Sequence, residues 1–183
     1  ASALEVLDAA LEDPASTVRR ADEAAARLRG SGTVGEVWAC RAVAITRRDG
    51  ADVQGALAMA HRAVDVAEAL GALLVSEALC TRALCHLAVG EGDAAVTDVD
   101  RAVALGVAHP LAVARARVQR ALIRHRRAEP GWEEDYAACL DVLMAHDDWY
   151  WEGLARLNRG NELIYRGDHV AARRDLHRAL DLQ

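Results

Sequence analysis

The sequence predicts an all-α chain built as an α-α superhelix, a solenoid of helix-turn-helix repeats, and three observations carry that prediction. Apolar residues recur at three- and four-residue steps along nearly all of the 183 residues. Glycines and the three prolines, Pro14, Pro110 and Pro130, fall where these periodic runs begin or break. Small residues return at one double spacing, twelve residues and then seven, in Ala44, Ala56 and Ala63, in Ala83, Ala95 and Ala102, and in Gly160, Ala172 and Ala179. No stretch has the alternating, β-branched pattern of a strand.

Helices are expected at about 2–12, 15–29, 33–48, 52–69, 73–89, 92–105, 110–127, 132–146, 149–166 and 168–182. They pair into four repeats, over about 33–69, 72–106, 110–146 and 149–182, behind a capping hairpin at 1–30. The third repeat is degenerate. Arg120, Trp132 and Cys139 stand at the anchor spacing, so two of its three small positions have grown, around a turn at Glu129-Pro130-Gly131. One hairpin alone cannot bury its apolar face, so neighbouring hairpins must stack, and 1–183 reads as a single repeat domain. The first residue is not Met and the last helical pattern runs to the end, which marks a piece of a longer protein as the expectation.

Composition narrows the function classes. Hydrophobic residues make up 52% of the chain and charged residues 27%, enough to fold around a core. Phenylalanine is absent and alanine abundant, which favours close helix contact. Every basic residue is arginine, as a GC-rich bacterial genome gives. Net charge is −6, which argues against nucleic-acid or anionic-membrane binding. Cys40, Cys80, Cys85 and Cys139 form no CxxC and sit in alanine-rich helical runs; buried thiols in a reducing cytoplasm are expected, not a disulfide framework. No apolar run nears the roughly 20 residues that cross a bilayer.

The last repeat reads GLARLNRGNELIYRGDHVAARRDLHRALDL. With its mid-helix Gly160, the Gly167-Asp168 turn, and Ala172 and Ala179, it resembles a tetratricopeptide repeat, although Arg159 stands where that pattern has leucine and Leu176 where it has an aromatic. The stretch DDWYWEGLARLNRGNELIYRGD, with QRALIRHRR upstream, resembles the repeat region of actinobacterial CHAT proteins, in which such arrays precede a caspase-like peptidase domain. The resemblance covers about 110–182 and is architectural before that. Helical repeats of large bacterial transcriptional activators look similar too. The first resemblance implies a protein-binding, regulatory module with any peptidase activity outside this chain, and the second a small-molecule-sensing helical repeat domain of a transcriptional regulator.

The residues supply no catalytic constellation, and no cofactor or metal site is expected. There is no Gly-rich phosphate loop behind a strand and no HExxH. Asp175, His177 and His169 could cluster on the final helix, but their spacing does not match helix-borne metal ligands. Glu133-Glu134 and Asp147-Asp148 fall at helix starts, where carboxylates meet free amides and the positive dipole end.

The first helix of each hairpin is expected to line a concave face. Positions three before and four after the first anchor place Arg41 and Arg48, Cys80 and Leu87, Arg117 and Arg124, and Leu157 and Ile164 there, with Asn161 and Tyr165 beside the last pair. Arg41, Arg48, Arg117, Arg124, Asn161 and Tyr165 are therefore the candidate partner-binding residues, against the alternative of a solvated arginine face. Trp149 and Trp151, near Trp132, Tyr136 and Tyr150, are either packing residues or an aromatic hot spot. The expected partner is a protein or peptide, including a C-terminal domain of the same full-length chain. End-to-end stacking leaves a homodimer open, and a small-molecule sensor is the alternative role.

Overall fold

The computed structural model describes residues 2–50 and 52–182; residues 1, 51 and 183 of the expected single domain lie outside the described residues. It is all-helical, with no strand among the described residues: α1 (Ala3–Glu12), α2 (Pro14–Leu28), α3 (Val34–Asp49), α4 (Val53–Glu68), α5 (Ala72–Ala88), α6 (Gly92–Leu105), α7 (Pro110–Arg126), α8 (Trp132–Ala145), α9 (Trp149–Tyr165) and α10 (His169–Asp181). Helix starts follow local chemistry. Ser2 and Glu5 cap each other's amides, and Asp13 with Pro14 opens α2. Thr33, Asp52 and Asp168 each accept from an amide three residues on. Asp148 sits at an N-cap position but does not cap; its carboxylate instead accepts from Arg115 Nε at 2.8 Å.

The chain forms two compact units, residues 1–105 and 106–183. In the first, α3 pairs with α4 and α5 with α6, α4 packs on α5, and both α1 and α2 lie against α3. Its core is small-residue rich, with Ala10, Ala21, Ala39 and Ala42 fully buried beside Val43 and Val6. In the second, α7 pairs with α8 and α9 with α10, and α8 and α7 both touch α9. Its core is heavier, with Trp132, Tyr136, Leu140 and Leu143 buried beside Ala114 and Ala121.

The anchor residues do what their size suggests. Ala44, Ala56, Ala63, Ala83, Ala95 and Ala102 are completely buried, and Ala172 and Ala179 nearly so. A Cβ on Gly160 would fall 2.8 Å from Leu176 Cγ, so any larger residue there requires Leu176 to shift. Cys40, Cys85 and Cys139 are buried free thiols, and Cys80 is half-buried. Burial pushes the first two up to about 11 and Cys139 up to about 12, against a small opposing pull from nearby arginines.

The third repeat requires a correction of register. Its first anchor is Ala121, fully buried in the second unit's core, and not Arg120. The helix ends agree. Gly90 and Gly167 take positive φ seven residues after Ala83 and Gly160, and Ala128 does so seven after Ala121. In each case the next amide closes the turn: Glu91 N donates to His86 O, Asp168 N to Leu163 O, and Glu129 N to Arg124 O, at 2.8–3.0 Å. The residue missing from this repeat lies after that turn, between Ala128 and Trp132. A shortened turn, together with Trp132 at the second anchor, makes the repeat look degenerate.

Candidate functional site

The register correction decides which side chains share the first-helix face. One residue of slip turns a helical position by about 100°. In the third repeat the positions three before and four after the anchor become Val118 and His125, in place of Arg117 and Arg124. Arg124 reaches into its own hairpin, where Nη1 donates to Asp135 Oδ2 at 2.9 Å. Arg117 is half-buried, with its Nε buried and lacking a hydrogen-bond partner among the described residues.

In the first unit, Arg41 is nearly buried. Its Nη1 donates to Glu77 Oε2 at 2.5 Å and its Nε to Thr81 at 3.2 Å, so it ties α3 to α5. Arg48 donates to its neighbour Asp49 at 2.7 Å. Arg41, Arg48 and Arg124 are thus each engaged with a carboxylate of their own unit. Asn161 and Tyr165 are brought together: both are exposed, Tyr165 to 84%, and both line one groove.

That groove lies between α7 and α9, with a cavity of about 650 Å³. Leu122, His125 and Arg126 line it from α7; Asn158, Asn161, Glu162, Ile164 and Tyr165 line it from α9. The spacings are one-sided for a helix, three and four residues along α7, and three and four between Asn158, Asn161 and Tyr165 on α9. The wall is therefore mixed, with aliphatic Leu122 and Ile164, two carboxamides, a phenol and an exposed guanidinium.

At its base the Glu162 carboxylate, only 6% exposed, meets His125 Nδ1. Burial raises the Glu162 carboxyl above its ordinary value, opposed by His125 and then Arg126. The ring of His125 stands edge-on to Trp132 at 5.4 Å, and Arg166 lies over the same indole at 5.4 Å while pairing with Glu133. Trp132 thereby fixes the wall behind the groove. Sequence reasoning found Asn161, Tyr165 and Ile164, and missed Leu122, Asn158 and the His125–Glu162 pair. For the α7 residues the missing signal was the turn length in the third repeat.

The aromatic group divides in two. Trp132 and Tyr136 are core, and Trp151 packs against the same cluster with Arg115 5.9 Å from its ring. Trp149 is 56% exposed. Asp175, His177 and His169 do not converge: Asp175 is fully buried and held by Arg156 and Arg159, while both histidines line an outer depression of α10. No group of histidine, cysteine and acidic side chains suited to a metal ion occurs among the described residues. No helix is long and apolar enough to cross a membrane, again among the described residues.

No family model matches the chain, and no curated protein matches it. Among solved structures, the crystal structure of BtubC (BKLC) from P. vanneervenii is similar, at 18% identity and a TM-score of 0.68 over 97% of this chain and 73% of that one. At that identity the likeness is one of fold, and it agrees with an all-α helical-repeat architecture.

Proposed function

We propose that this chain is a non-catalytic interaction module, a regulatory scaffold that holds a segment of a partner protein in the α7–α9 groove. The observation that carries it is the set of half-buried Asn158 and exposed Asn161 and Tyr165 on one face of α9, opposite Leu122 and Arg126 on α7. Carboxamides can both donate to and accept from an extended backbone, the phenol gives a large amphipathic contact, and Arg126 suits an acidic side chain. Internal ion pairing of Arg41 and Arg124 supports placing the contact here instead of along an arginine face.

Membership of the tetratricopeptide family, a link to a caspase-like domain, and a cytoplasmic setting belong to the same reading. Their support is the Gly160, Gly167-Asp168, Ala172 and Ala179 pattern in a hairpin of the expected kind. The test is selection of peptides on the full chain, followed by affinity measurements on Asn161→Ala and Tyr165→Ala. Each is expected to lose roughly tenfold or more, as removal of a central contact costs about 1–2 kcal/mol. Unchanged affinity in both overturns the groove assignment.

The cavity volume also falls within the range of small-molecule sites. A sensor of a metabolite is therefore the second reading. It predicts thermal stabilisation of the chain by a compound and loss of that shift in the same variants.

A further inference from the structure

Glu162 stands where the other repeats hold no charge. Two residues after the first anchor the first three repeats have Thr46, Cys85 and Ile123, all buried, whereas the last has this carboxylate. Its partner is His125 Nδ1, four residues after the anchor of the preceding repeat. Glu162 is the one acid among the residues that line the α7–α9 groove. Arg126, in the same lining, is exposed and has no carboxylate or hydrogen-bond partner among the described residues. Arg126 and Tyr165 each lie five residues after their anchors, so guanidinium and phenol stand at one level on opposite walls. The acids nearby are engaged elsewhere, Glu129 with Arg127 and Glu133 with Arg166, which also lies over Trp132. On α9, Arg159 is held by Asp175. α8 brings the Tyr136 phenol, which burial and then Glu162 push up, so it stays un-ionised.

The Arg126 guanidinium therefore suits an acid supplied by the partner. An acid seated there acts on the pair at the groove's base in two ways. It offsets the pull by which Arg126, after His125, holds the Glu162 carboxyl down, and it adds a negative charge of its own. Both effects favour the protonated form of the pair. Taking the groove as the partner site, on which this rests, we propose that it receives an acidic side chain on Arg126 and a proton on the His125–Glu162 pair in one event, so that the partner is held more tightly as pH falls. The proton belongs to the pair and not to either residue alone. A complex that carries one proton more than its free components gains affinity as pH falls, by up to about tenfold per pH unit over the range in which the pair titrates.

The probes are two peptides blocked at both ends, one alternating leucine with aspartate and one with asparagine in place of each aspartate. Leucine suits the Leu122 and Ile164 walls. Titration calorimetry on the full chain between about pH 5.5 and 8 stays above the range in which the peptide's own carboxyls titrate. Repeating it in a buffer of different ionisation heat counts the protons taken up. Wild type is expected to prefer the aspartate peptide by roughly tenfold at the acid end, and to lose that preference as pH rises. Glu162→Gln, which keeps an acceptor for His125, is expected to bind the aspartate peptide with a flat pH profile and no proton uptake. Arg126→Gln, at an exposed position, is expected to bind both peptides alike. Aspartate binding that does not vary with pH, or varies equally in Glu162→Gln, overturns the inference. Equal binding of the two peptides by wild type also overturns it, and leaves the groove standing where Asn161→Ala and Tyr165→Ala weaken that binding. If neither peptide binds, the inference falls; the groove falls with it only where peptide selection also yields nothing that depends on Asn161 or Tyr165.

Discussion

Arg159 meets Asp175 through two hydrogen bonds, Nε to Oδ2 at 2.6 Å and Nη2 to Oδ1 at 2.8 Å, in the interior of the last hairpin. Arg82 and Asp98 repeat this in the second, both at 2.7 Å, and Arg120 with Asp135 in the third. The arginine precedes the first anchor by one residue and the aspartate follows the second anchor by three. In the first repeat the same positions hold Val43 and Met59, both in the apolar core. One hairpin design thus closes with either an ion pair or an aliphatic pair.

This equivalence predicts how the pair responds to mutation. Asp98→Ala leaves Arg82 nearly buried without its main partner and is expected to cost about 3 kcal/mol. The double variant Arg82→Val/Asp98→Met copies the first repeat and should recover most of that loss. Denaturant unfolding of the three proteins checks it; a double variant less stable than the single one would refute the equivalence.

Gly160 and Leu176 form a second matched pair. Alanine normally gains about 1 kcal/mol over glycine inside a helix. Here the added methyl would meet Leu176 Cγ at 2.8 Å and Cδ2 at 2.9 Å, so Gly160→Ala is expected to destabilise. The second repeat pairs Ala83 with the smaller Val99, both fully buried. Gly160→Ala/Leu176→Val should therefore be more stable than Gly160→Ala, by about 1 kcal/mol. Thermal unfolding of both decides this.

The contrast between these pairs shows what the sequence makes legible. Small residues at a fixed spacing exposed the hairpins and nearly every helix boundary, because close helix approach admits few residue types. Arg159 looked only like a departure from a family pattern, because its partner lies sixteen residues away on another helix. The groove was half legible. Asn161 and Tyr165 follow from the Gly160 anchor, whereas the α7 side needed the correct register. The spacing pointed to Arg120, and the burial of Ala121, the positive φ at Ala128 and the Arg120–Asp135 pair move the anchor one residue on.

Glu36 gives a prediction in acid. It is fully buried in the first turn of α3, where Gly30 N and Gly32 N of the preceding loop each donate to it at 2.9 Å and Arg62 Nε at 3.0 Å. Burial alone would raise its carboxyl. The Gly30 amide, Arg62 and the Gly32 amide outweigh that and hold it at about 2, against an ordinary 4.5. A carboxyl depressed on folding contributes stability that is full above its unfolded value and is lost as pH falls through the folded one. The chain should therefore lose stability between about 4.5 and about 2 through this group. Glu36→Gln should show less of that loss and be weaker at neutral pH by on the order of 2 kcal/mol. Denaturant midpoints of the two proteins across this range check it; parallel curves would rule the contribution out.

Glu162 predicts the opposite sign. Its carboxyl is raised by burial under the groove, with His125 and Arg126 pulling the other way. A carboxyl raised on folding favours the folded state fully below its unfolded value, and that advantage declines as pH climbs through the folded value. Wild type should accordingly lose ground to Glu162→Gln as pH rises from the acid range towards neutral. His125→Ala removes the first of the two opposing groups and should steepen the decline. Because Glu162 and His125 face the groove beside Asn158 and Asn161, the same two variants should also shift the pH dependence of any ligand held there. Unfolding of the three proteins at stepped pH reads the stability effect directly. A Glu162→Gln protein that tracks wild type at every pH would show that burial does not tune this carboxyl, and the base of the groove would then carry no proton-linked contact.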